Sequence, residues 1–525
     1  MFYRNCLRGV GALATLSLLA GCGLFSDAEA EGNRRIVVGT ISEPSTLDPA
    51  AAYDGSWELY RNVFQTLLSF PTGSTTPRPD AASCGFTDTT NKIYRCELRR
   101  DLTFSNGEKL DARAVKHTVD RIRTIKSETG PQALLGSLGT VETQGDRIVI
   151  FRLKAPDATF PFILATPALS LVPPGEYPAD RLRADGKLTG SGPYVLSSYA
   201  KGDRAELAKN PDYNGFADRK NDSVTIRYFK KSDEMINALA IRQIDAVYRG
   251  LTADEVTELQ KGMPEYNHLR LVETVGSDIR YLVFNAEDPV VGKLAVRRAI
   301  AQVIDRGRLV GTVYRGTAEP LYSMIPKGIT GHTTKFFDVY GEPDTKKARK
   351  ILRDAGIDTP VELEFWYTTD RYGTATAAEF AEIKRQLEAT GLFEVTVRGK
   401  PWAEFQRGYA AGKYPAFGRG WFPDFPDPDN FVAPFVGVRN ALNTPYDSPE
   451  ITDTLLPEAR RESDRGAVAK QFGRAQEIFV EDVRHLPLWQ GKLYVATTDE
   501  IGGADRAMDP QTVMLMWELF RKGEW

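Results

Sequence analysis

Between residues 190 and 410 the hydrophobic period switches repeatedly between two and about 3.6, and no other feature restricts the possible folds as much. Val361, Leu363, Phe365 and Tyr367 alternate with polar neighbours, as a strand with one buried face requires. Before and after it, 345–355 and 377–387 carry apolar residues at helical spacing. The same reading predicts strands at 224–229 and 281–284, a strand entered through the 190–194 turn, and helices at 233–241 and 294–310. Strands and helices that alternate in this way imply an α/β core with open sheets. At 525 residues the chain is long enough for several domain-sized units, so more than one core is expected. Outside that region, 36–41, 93–98 and 148–153 read as strands, and the apolar residues from Trp57 to Ser69 repeat at helical spacing. Asp111 is placed to cap a helix whose buried stripe is Val115, Thr118, Val119, Ile122 and Ile125. No period of 20–50 residues recurs, which disfavours a solenoid or propeller.

Several classes of function fall away on simple grounds. Lys and Arg number 67 against 70 Asp and Glu, a formal charge of −3, so no basic excess exists to hold a phosphate backbone, and nucleic acid is not an expected partner. The four histidines, His117, His268, His332 and His485, are isolated in sequence. Neither a His-Glu-x-x-His zinc motif nor a Gly-x-Ser-x-Gly nucleophile elbow is present, so an enzyme is not expected. Gly190-Ser191-Gly192-Pro193-Tyr194 has the glycines of a turn. It lacks the spacing of a phosphate loop and the Lys-Ser/Thr that would follow one. No metal or cofactor is expected.

The N-terminus reads as an address. Arg4 and Arg8 precede an uncharged, mostly apolar run from Val10 to Gly21, too short for the roughly 20 residues a membrane span needs. The run ends in Leu19-Ala20-Gly21-Cys22, which resembles a bacterial lipobox. That resemblance implies cleavage after residue 21 and lipid on Cys22, with 22–34 as a polar tether. An ordinary secretory signal cut elsewhere is the other reading. The expected location is therefore the outer face of the plasma membrane, anchored by lipid. Cys6 leaves with the signal, so Cys84 and Cys96 remain as an even pair. Export permits a disulfide between them, the intervening Asn91-Lys92 suits a hairpin, and two free thiols are the alternative.

The densest polar and aromatic cluster is Gly420-Trp421-Phe422-Pro423-Asp424-Phe425-Pro426-Asp427-Pro428-Asp429-Asn430-Phe431. Three prolines forbid a regular helix or an interior strand, so a fixed loop is expected, offering carboxylates beside large rings. Such a surface suits an ammonium group, through charge-assisted hydrogen bonds and cation–π attraction. Calcium ligation by Asp424, Asp427 and Asp429 competes, although the glycine and closing glutamate of an EF-hand are missing. A plain structural loop packed on Trp421 is the third possibility.

Taken in order, several short motifs resemble the family 5 extracellular solute-binding proteins, the peptide- and nickel-binding components of ABC importers. They are Leu47-Asp48-Pro49, the stretch 98–110, Gly190–Tyr194, Tyr281–Asn285, Val296–Ile300 and the Trp421 loop. The resemblance implies a two-lobed periplasmic-binding-protein-like α/β fold with type II-like sheets and an additional subdomain inserted in lobe one. It places lobe one at 35–69, 190–282 and 490–525, the insert at 70–189 and lobe two at 283–489. It further implies a monomer that captures a short peptide between its lobes and delivers it to an ABC permease; a sugar, another small solute, a metal chelate or a purely sensory role are the alternatives. Asp424 matches the residue that pairs with the ligand's ammonium, and Trp421 the tryptophan before it. Tyr53, Asp54 and Gly55 match a cleft-lining segment. Some relatives carry an arginine where Gly418 stands; here Arg419 follows it, and a basic partner for the ligand's carboxylate is expected.

Overall fold

The computed structural model describes residues 34–51, 56–262, 264–438, 440 and 444–523. The lipobox, Cys22 and the Tyr53–Gly55 segment lie outside these residues. Eleven strands join in one continuous sheet, and two of them carry it across the molecule: Leu269–Phe284 and His485–Thr498. These long strands pair antiparallel from Leu269–Thr498 to Val283–His485, with a register break between Val275 and Ile279. On one side of the break, His485–Thr498 is followed by Ala246–Tyr248, Arg35–Thr40, Ser223–Tyr228, Arg204–Lys209 and Tyr194–Ala200. On the other, Leu269–Phe284 is followed by Ala416–Trp421, Val361–Thr368 and Phe393–Lys400.

Each half of the sheet has its own large core. One gathers Ile36, Tyr60, Phe104, Phe151, Tyr194, Val224 and the C-terminal Met514–Trp517. The other gathers Tyr281, Ile300, Leu352, Phe365, Ile383, Phe417, Phe479 and Leu486. Helices cover the sheet halves, and the result is a two-lobed α/β periplasmic-binding-protein-like fold. Among the described residues no helix is long and apolar enough to cross a membrane.

The region between 70 and 189 forms a separate four-stranded antiparallel sheet: Ala82–Phe86, Ile93–Leu98, Ile148–Leu153 and Leu138–Gln144. Cys84 and Cys96 stand directly opposite each other on its first two strands and are joined by a disulfide. The helix Ala112–Ile125 packs on this sheet, and Asp111 caps it by accepting from the amides of Arg113 and Ala114.

Several motifs turn out to be joints. Asp48 of Leu-Asp-Pro is fully buried and accepts from Arg121 Nη1 at 2.7 Å and from the amides of Ala50 and Arg183. It pins the segment after Arg35–Thr40 to the 112–125 helix. Gly190 and Gly192 press against the backbone at Val63, where a Cβ on Gly190 would come within 2.1 Å of the Val63 carbonyl oxygen. Gly192 donates its amide to that oxygen at 2.8 Å. This contact accompanies the end of the Trp57–Val63 helix, shorter than the expected run to 69. Arg297 is buried and donates to the carbonyls of Val291, Gly292 and Asp482. The expected 294–310 helix stops at Val303, and Asp305 caps a new short one by accepting from the Arg308 amide.

Candidate ligand-binding cleft

In the second lobe Phe393–Lys400, Val361–Thr368 and Ala416–Trp421 run parallel, so the loops that follow them emerge at one edge. Ligands in open α/β sheets bind outside this carboxyl edge. Trp402, at the start of the helix Trp402–Ala410, Arg371 and Asp424 follow the three strands respectively, and all three residues line one cavity of about 1430 Å³. In the first lobe Arg35–Thr40 runs parallel to its neighbours, and the segment after it supplies Ser45 and Thr46 to the same cavity. The sheet of 82–153 and its connections contribute Ser127–Pro131 and Lys154–Asp157. The cavity thus lies between the lobes.

The Trp421 loop is held from inside by Asn430. Its Oδ1 accepts from Trp421 Nε1 at 3.1 Å and from the Asp424 amide at 2.9 Å, and its Nδ2 donates to Asp424 Oδ2 at 2.8 Å. The Arg280 guanidinium packs over Gly420, where a Cβ would come within 2.5 Å of Arg280 Nη1 and displace it. Phe425 belongs to the first lobe's core and packs on Phe162, while Gln511 Nε2 donates to the Asp424 carbonyl. The loop therefore leaves a strand of lobe two and is seated in lobe one.

The other two carboxylates are taken. Asp427 accepts two bonds from Arg465, at 2.7 and 2.9 Å, and Asp429 two from Arg460, at 2.8 and 2.9 Å. Burial pushes the Asp427 carboxyl above its ordinary value, and the Arg465 guanidinium opposes the shift. Two fork-to-fork arginine pairs leave no three-carboxylate oxygen cage. Among the described residues no group of three His, Cys, Asp or Glu is placed to hold a metal ion.

The cationic side of the cleft is built differently. The Arg371 guanidinium lies 4.7 Å from the centre of the Trp402 ring system and forms no ion pair with a described residue. Arg419, expected from sequence to bind ligand, does not line the cavity. It is buried behind Trp402, 5.0 Å from that ring and 5.0 Å from the Tyr409 ring, and donates to the Tyr409 hydroxyl at 3.0 Å. Sequence reasoning missed Arg371 and Trp402, which have no local motif; only the pairing of parallel strands brings them beside Asp424. His485, also isolated in sequence, is buried among Tyr281, Phe435, Tyr446 and Phe479. Burial, with Arg484 nearby, pushes its imidazole down to about 3, so it is neutral and structural.

Residues 76–471 match the family described as bacterial extracellular solute-binding proteins, family 5 Middle. The chain belongs to this family. It is a non-catalytic solute-binding receptor that works outside the cytoplasm. A probable D,D-dipeptide-binding periplasmic protein of Escherichia coli is 25% identical over 488 residues, covering 89% of this chain and 90% of its own. Heme-binding protein A of Haemophilus influenzae is 24% identical over 530 residues, covering 91% and 92%. Among solved structures, the periplasmic binding protein DppA of Helicobacter pylori, in complex with the peptide STSA, superposes with a TM-score of 0.78 at 23% identity, covering 94% of this chain and 99% of its own. The unliganded open form of the murein tripeptide-binding protein MppA gives 0.76 at 18%, covering 93% and 97%. These structural matches establish the two-lobed fold.

Proposed function

We propose that this protein captures short peptides in the cleft and passes them to an ABC permease in the membrane. The observation that carries this reading is the presence of opposite charges on the walls of one cleft. Asp424 is fixed by Asn430, and Arg371, with no ion pair to a described residue, rests on the Trp402 ring in the same cavity. A ligand with an ammonium at one end and a carboxylate at the other matches the sign of both groups, whereas a neutral sugar matches neither. Asp424 receives the ammonium and Arg371 the carboxylate, with Trp421 and Trp402 as apolar walls. The peptide names of several relatives agree. Tyr53, Asp54 and Gly55 complete the first lobe's side of the cleft in this proposal.

The same reading takes 35–69, 190–282 and 490–525 as lobe one, 70–189 as its insert and 283–489 as lobe two, hinged where the two long strands cross. The protein acts as a monomer, held at the outer face of the plasma membrane by lipid on Cys22. Replacing Cys22 with Ser releases it from the membrane fraction; a mutant still acylated at the same position would refute the anchor. Asp424→Asn keeps the Asn430 contact in shape but removes the charge. Calorimetry with di- and tripeptides should show affinity falling at least about tenfold, or about 1.4 kcal/mol. Unchanged affinity would end the peptide assignment.

A further inference from the structure

Arg419 is the feature of the cleft that this reading leaves unexplained. Only 8% of the residue is exposed, it forms no ion pair with a described residue, and its Nε has no hydrogen-bond partner. A buried cation without a counter-charge is costly, and apolar replacements at such positions are tolerated or stabilising, so packing alone does not account for it. Its surroundings are ring systems: Trp402 and Tyr409 at 5.0 Å each, with Tyr281 and Tyr372 close by. Trp402 lines the cavity, and the Arg371 guanidinium stacks on that same ring. Two guanidinium groups therefore share one tryptophan, one in the cavity and one behind its wall. A single α-carboxylate pairs with Arg371 and leaves the second positive charge unanswered.

We propose that Arg419, acting through Trp402, makes this end of the cleft selective for a ligand with a second anionic group, such as a peptide whose C-terminal residue is glutamate or aspartate. The inference rests on the peptide reading above and narrows its substrate class. Arg419 is a positioning residue here. It is buried among rings, where its charge is less screened than at the surface, and it lies 5.0 Å from the centre of the Trp402 ring. The Trp402 ring gives the ligand's anionic groups an apolar floor while Arg371 supplies the direct hydrogen bonds. Lysine would keep the charge and lose the flat stacking geometry, so it should preserve only part of the effect.

The test compares acid with its uncharged isostere. Calorimetry is run with Ala-Glu against Ala-Gln and with Ala-Ala-Glu against Ala-Ala-Gln, at low and moderate salt. The wild-type protein should bind the glutamate peptide of at least one pair about tenfold more tightly than its glutamine twin. Arg419→Met should bring that ratio to within about twofold of one, and Arg419→Lys should restore it in part. A purely structural role would lower both members of a pair together and leave the ratio alone. A wild-type ratio near one overturns the inference while the peptide reading stands, and so does a high ratio that survives Arg419→Met. Binding of none of the four peptides, nor of Ala-Ala, overturns the peptide reading itself and the inference with it. If Arg419→Met does not fold, the wild-type ratio and Arg419→Lys still decide.

Discussion

The loop after Trp421 and the loops after Thr368 and Lys400 leave the same sheet edge and line the same cavity, yet they handle charge in opposite ways. In the first, Asp427 and Asp429 each meet an arginine fork, and Asp424 is gripped by Asn430. Around the others, Arg371 after Thr368 and Arg419 on the Ala416–Trp421 strand both lie against Trp402, with no ion pair to a described residue. Matched charges fix shape: the acidic loop has three prolines, only a short 3-10 turn at Pro428–Phe431 and a seat in both lobes, and its ion pairs hold it in place. Unmatched charges, in the proposed reading, are answered by an incoming anion. In that reading the cleft combines an internally paired acidic jaw with a basic wall whose charges the ligand answers.

The contrast breaks most severely where a matched pair loses one partner. Arg465→Ala would leave Asp427 buried beside Asp429 without the guanidinium that forks onto it. Truncating one member of a buried pair costs about 3–5 kcal/mol. Chemical denaturation should register a loss of that order, with peptide binding weakened even at temperatures where the variant is folded. A loss below about 1 kcal/mol would show that the pair is solvated and the loop held by other contacts.

A smaller effect concerns the footing of the same loop. Trp421 packs edge-on against Phe435, and Phe435 lies against His485. Neither ring nitrogen of His485 has a hydrogen-bond partner. Its folded-state value is about 3, against 6.5 for a free imidazole. The unfolded chain therefore takes the proton first. The stability this residue contributes is intact above pH 6.5 and is lost as pH falls from there towards 3, at up to about 1.4 kcal/mol per pH unit. His485→Phe should flatten that acid limb and raise the midpoint at neutral pH, since it removes unsatisfied buried nitrogens. An unchanged slope between pH 6.5 and 4 in the variant would assign the acid sensitivity to carboxylates instead.

How much of this was legible in the sequence varies with how local the cause is. The 361–368 strand, the 345–354 and 376–388 helices, the Asp111 cap and the Cys84–Cys96 hairpin follow from period, capping and spacing within a few residues. The Trp421 loop was legible as a loop, because proline forbids the alternatives. The strand Leu269–Phe284 was visible only as its last four residues. Glu273, Gly276, Ser277 and Asp278 interrupt its apolar pattern, and it is completed by pairing across a register break with His485–Thr498. The break at Asp305 carried its signal, an aspartate three residues before the amide it caps, but the apolar stripe continuing past it masked the cap. Arg371 and Trp402 carried none. Thirty-one positions apart in polar stretches, they meet because two strands pair in parallel, a long-range fact that no local window contains.

The smallest expected effect sharpens the comparison most directly, because it reverses the sign seen at Arg465. Arg419→Met removes a buried cation that has no carboxylate to leave stranded, and methionine fills a similar length beside Trp402 and Tyr409. The lost cation–π contacts are worth about 0.5–2 kcal/mol, and the lost bond to the Tyr409 hydroxyl about 1 kcal/mol. Relief of the guanidinium's desolvation is of the same order or larger. Thermal unfolding without ligand should therefore give a midpoint equal to the wild type or a few degrees above it. Adding an acidic peptide should then separate the two proteins, since ligand stabilisation grows with affinity and the wild type binds more tightly. If the variant instead loses stability on the scale of Arg465→Ala, Arg419 is part of the scaffold and both sides of the cleft are built on the same principle.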